Sequence, residues 1–76
     1  MHPSAVEFDP TDMYRARPGM KNMIIRLVVA QAPPGSVSAI VVNGWHTSRS
    51  DSRDHCTVDY NNKRGKLIER VHVIKA

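Results

Sequence analysis

The chain has 76 residues, eleven Lys and Arg against seven Asp and Glu, a formal net charge of +4 and one cysteine. A chain of that length forms one small domain and buries only about 60% of the surface its unfolded form exposes. The composition excludes an intrachain disulfide, offers no run near the roughly 18 apolar residues of a membrane span, and leans toward an anionic partner.

Residues 1–8 read as a flexible arm ahead of a single small β domain over 9–76, with Val6 and Phe8 available as anchors. The N-terminus lacks the basic-then-apolar layout of a signal peptide, so a cytoplasmic location is expected, and the lone cysteine fits a reducing compartment. Asp9-Pro10-Thr11-Asp12 is a helix-start signal: Asp9 can cap, Pro10 suits the first helical position, and Asp12 favours the positive end of the dipole. Met13 to Ala16 extend this short helix, and Arg17-Pro18-Gly19 stops it.

Two apolar runs flank Pro33-Pro34-Gly35. The first, Met23 to Gln31, holds Ile24, Ile25, Val28 and Val29, which are stiff at χ1 and favour strands. The second, Ser36 to Trp45, is apolar on both faces, which predicts a strand covered on both sides or curling near Gly44. Because proline fixes φ and lacks a donor, the pair is expected as an antiparallel hairpin, 23–31 with 36–46.

The polar, serine-rich stretch His46 to Asp54 reads as an exposed loop. His55 to Tyr60 alternates, with Cys56, Val58 and Tyr60 on one side, and 66–75 forms the last strand. Asn61-Asn62-Lys63-Arg64-Gly65 supplies turn residues between them. The expected register sets Val58 against Leu67 and Asp59 against Lys66, matching apolar with apolar and acid with base. The predicted fold is mainly β, a small SH3-like or OB-like partly open barrel of about four antiparallel strands with a short N-terminal helix. A sheet with the helix across one face is the alternative.

No metal-ligand spacing links His2, His46, His55, Cys56 and His72, so no metal site is expected. No cofactor motif is present, and neither a Gly-x-Ser-x-Gly elbow nor a phosphate loop marks an enzyme. Cys56 and His72 fall on opposite faces and do not form a dyad; Cys56 reads as a buried core thiol.

Charge is the feature above background. Lys63, Arg64 and Lys66 place three cations within four residues with no acid between them. Such a tip can contact phosphates, supported by Arg70, by Arg49 and Arg53 in the preceding loop, and by Trp45 and Tyr60 as stacking rings. The leading expectation is a non-enzymatic nucleic-acid-binding domain, for DNA or RNA. The alternative is an interaction module, a regulator or inhibitor that docks on a larger host protein by strand addition or by its loops. Either form is expected as a monomer or as a dimer paired through the edge strand 66–75.

Overall fold

The computed structural model describes residues 1–12, 18–47 and 54–74. After a 3₁₀ turn at Pro3–Ala5 come strand β1 (Val6–Phe8), helix α1 (Pro18–Ala30), and strands β2 (Ser38–Thr47), β3 (Asp54–Asn61) and β4 (Leu67–Ile74). The strands form one mixed sheet in the order β1-β2-β3-β4. β1 runs parallel to β2, and the other pairs are antiparallel. The sheet is not closed: β1 and β4 are separate edges, and α1, the one α-helix among the described residues, covers one face.

The main correction concerns residues 23–30, which are helical and not a strand; Gln31, the last residue of the expected strand, lies just beyond the helix. Pro18 occupies the first position of the helix, where its missing donor costs nothing, so Pro18-Gly19 open a helix. Counted from Pro18, the segment is 13 residues long and shows helical periodicity. Ile24 and Val28 are wholly buried, while Asn22, Arg26 and Ala30 are exposed at the same four-residue spacing. Burying that stripe outweighs the modest strand preference of the β-branched side chains. Pro33 and Pro34 therefore follow a helix instead of turning a hairpin, and β2 pairs with β1 and β3. A parallel β1–β2 pair needs a crossover between its strands, which α1 supplies.

The arm is also tied down. Val6, Glu7 and Phe8 pair with Ala39, Ile40 and Val41. Val6 is buried, and the Lys21 ammonium lies 5.3 Å from the centroid of the Phe8 ring. Asp9 accepts bonds from the Thr11 amide and hydroxyl, a local turn in place of a helix start. The rest of the expected N-terminal helix, 13–16, lies outside the described residues.

The core is the layer between α1 and one sheet face: Ile24 and Val28 against Ala39, Val41, Cys56, Val58, Tyr60 and Val73. Tyr60 is fully buried, and its hydroxyl donates to the Val28 carbonyl at 2.7 Å. That carbonyl belongs to the last turn of α1, where intrahelical donors run out, so the phenol acts as an internal cap. Register shifts in β2 between Val41 and Asn43 and between Asn43 and His46 mark bulges near Gly44, whose amide is bonded by the Asp12 carboxylate.

The second hairpin forms as expected, with a different register. Val58 faces Val71 and Asp59 faces Arg70, four residues beyond the predicted partners. An even slip keeps every side chain on its face. The predicted register would leave Asn62-Lys63 as a two-residue turn, which demands positive φ at the first residue or at both, with no glycine at either. The observed turn places positive φ at Gly65 (φ 78°) instead.

Candidate functional site

The hairpin tip is held by its own hydrogen bonds. The Asn62 side-chain oxygen accepts from the Arg64 amide at 2.9 Å and the Lys66 amide at 3.1 Å. The Gly65 amide donates to the Asn62 carbonyl, and the Asn62 amide to the Lys66 carbonyl, each at 2.9 Å. Lys63, Arg64 and Lys66 are exposed on this ordered turn. Among the described residues no carboxylate pairs with them.

Beside the tip lie apolar side chains that the rest of the fold leaves uncovered. Val37 is 49% exposed, Leu67 57% and Ile68 37%. They are neighbours: the Val37 amide bonds to the Asn61 carbonyl, Asn61 is opposite Leu67, and a Cβ on Gly35 would meet Ile68 Cδ1 at 3.9 Å. The shift between Tyr60 and Asn61 bulges β4 at Ile68, which turns Leu67 away from the core side on which the sequence placed it. One end of the sheet thus carries three cations and three exposed apolar side chains.

The supporting residues expected for nucleic acid do not gather there. Tyr60 is wholly buried and bonded to Val28, so it offers no stacking face. Burial pushes its hydroxyl up to about 12, with a smaller contribution from Cys56. Trp45 is half-buried against the core, near the His46–His55 end of the sheet, whereas the tip follows Asn61 at the other end. Arg70 is engaged: its Nε and Nη2 donate to the two Asp59 oxygens at 2.6 and 2.9 Å. Arg49 and Arg53 lie outside the described residues.

The Arg70 hydrogen bonds hold the Asp59 carboxyl below its usual range, against a small opposing effect of burial. A folded-state value below the unfolded one stabilises the protein once pH exceeds the ordinary carboxylate value, and this contribution vanishes as pH falls through the folded value. Asp59→Asn should therefore flatten the acid limb of a stability–pH curve below about pH 4. An unchanged acid limb in urea titrations would show that the pair contributes nothing.

The opposite sheet face holds a row the sequence did not disclose. His46 pairs with His55 across β2 and β3, their ring centroids 4.2 Å apart, and His55 meets His72 at 5.1 Å. Since a carbonyl only accepts, His46 Nδ1 donates to the Gly44 carbonyl at 2.7 Å. The bulges in β2 decide that His46 meets His55, and no periodic pattern encodes them. Among the described residues no group of three His, Cys, Asp or Glu side chains is placed to hold a metal ion. Cys56 faces the core, away from this row, and is fully buried. No helix among the described residues is long and apolar enough to cross a membrane.

Comparison with known protein families, with curated proteins and with solved structures found no match for this chain.

Proposed function

We propose that this chain is a non-enzymatic interaction module that docks a larger, locally acidic protein on the end of the sheet formed by Val37, Lys63, Arg64, Lys66, Leu67 and Ile68. The observation that carries the reading is the coincidence of exposed Leu67 and Ile68 with three cations that have no carboxylate partner among the described residues. Apolar side chains left in water beside charged ones suit a protein surface, which offers both kinds of contact. Neither a closed SH3-like nor an OB-like barrel is required, because the tip and β4 are presented by an open sheet. A reducing cytoplasm suits the unpaired Cys56.

Nucleic-acid binding is the second reading, supported by the same three cations. Three or so phosphate contacts give a slope of about −2 to −4 in log K against log salt. Without Tyr60, and with Trp45 at the far end, that binding would rest on charge.

The two readings separate by capturing partners from lysate before and after nuclease treatment, with three proteins: wild type, Leu67→Ser/Ile68→Ser, and Lys63→Ala/Arg64→Ala/Lys66→Ala. Docking predicts a nuclease-resistant partner whose affinity drops by about tenfold or more in the Leu67/Ile68 variant, since burying each such side chain is worth about 1.5–3 kcal/mol. Capture abolished by nuclease, together with salt-steep DNA or RNA binding that ignores Leu67 and Ile68, would hand the function to nucleic acid.

A further inference from the structure

We propose that the outer edge of β4 accepts an extended acidic segment of the partner as a fifth strand, entered at Arg70 and His72; this rests on the docking reading above. The decisive contact is made by Gln31, just beyond α1. Its side-chain Nε2 donates to the Ile74 carbonyl at 2.8 Å, and its Oε1 accepts from the Ile74 amide at 3.4 Å. These are the two bonds that a residue of an added strand would make. The Gln31 amide imitates one peptide unit of a neighbouring strand and shows that both backbone groups of Ile74 point outward.

From Ile74 the rest of the edge follows. In an antiparallel ladder the amide and carbonyl of one residue point to the same side, and the side alternates along the strand. The β3–β4 pairing runs without a shift from His55–Ile74 to Tyr60–Glu69. The backbone groups of His72 and Arg70 therefore also face outward, while those of Val71 and Val73 face β3. Among the described residues no strand follows β4 in the sheet order, and the side chains of Arg70 and His72 are exposed. Gln31 closes the edge at Ile74 and the bulge at Ile68 ends its regular part, which leaves a window about five residues long at strand spacing.

Charge selects the occupant. With a formal net charge of +4 and three tip cations that pair with no carboxylate among the described residues, a second copy of this chain is repelled from the edge. An acidic segment is attracted, with its acids toward Lys63, Arg64 and Lys66 and an apolar residue over Leu67. The mode is strand addition, in which backbone bonds supply affinity and alternate side chains supply specificity.

Two blocked heptapeptides test this, Thr-Val-Thr-Val-Leu-Glu-Asp and its reverse, titrated against the full chain and followed by backbone amide NMR. Reversal moves the acids to the other end, so one peptide should bind better and reveal the strand direction. Slowed amide exchange is expected at Arg70 and His72, with none gained at Val71. Methylating the peptide nitrogens one at a time should weaken binding about tenfold at every second position and leave the positions between unaffected. Binding that perturbs Val37, Leu67 and Ile68 without this alternation overturns strand addition and leaves docking standing. Absence of binding by both peptides at millimolar concentration also overturns it, and docking is then judged by the Leu67/Ile68 variant in partner capture.

Discussion

Tyr60→Ala should remove most of the protein's stability at room temperature. The side chain is wholly buried at the centre of the layer between helix and sheet. Removing a large aromatic from such a site costs about 3–5 kcal/mol through lost burial and the cavity left behind. A second cost arises at the Val28 carbonyl, which accepts the phenol proton at the end of α1. Losing that donor in a buried place adds about 1–3 kcal/mol. A chain of this length has about 4–11 kcal/mol of stability in all. Tyr60→Phe separates the two costs, since it keeps the ring and deletes only the hydroxyl. Urea denaturation followed by circular dichroism should rank wild type above Phe and Phe well above Ala. An Ala variant within about 1 kcal/mol of wild type would mean that Tyr60 does not lie in this core.

The second large effect concerns the thiol. Cys56 is fully buried, and burial pushes its pKa up to about 11, with a further push from the Asp12 carboxylate. The thiolate is the reacting species, so an upward shift from 9.0 to about 11 cuts its population near pH 8 by about a hundredfold before any steric barrier. Native labelling by a thiol reagent at pH 8 should thus run at least about a hundredfold slower than in 6 M guanidinium. Its rate should rise with mild denaturant, because the thiol is reached by opening the layer of α1 over β3. Prompt stoichiometric labelling under native conditions would contradict both the burial and the shift.

Legibility differed between elements for identifiable reasons. The strands on either side of the 62–66 turn were readable because Cys56, Val58 and Tyr60 alternate and Gly65 follows an asparagine pair. Charge pointed to the wrong register, because Lys66 and Arg70 both lie on the last strand's path and Asp59 takes Arg70 where Lys66 was expected. The helix is hidden in the sequence because a window opened at Met23 shows β-branched residues and omits Lys21 and Asn22, the polar half of its period. The cationic tip was legible from composition, whereas its apolar neighbours were not. Matching Leu67 with Val58 predicts a core-facing side chain, which the bulge at Ile68 reverses, and Val37 lies one residue before β2 begins.

The sequence by itself determined a small basic β-rich domain, a buried thiol, a hairpin over the last twenty residues and a cationic turn at its tip. These are properties of local pattern and composition, encoded within a few residues of one another. The tertiary structure alone decided that residues 18–30 are a crossover helix, because that choice depends on whether Ile24 and Val28 find a sheet to cover. It alone decided that Tyr60 caps α1, that three histidines meet across β2, β3 and β4, and that Gln31 bonds the edge of β4 at Ile74. Each of these joins residues far apart in the chain, and their meeting depends on strand order and on bulges that shift register. Local propensity carries no record of either.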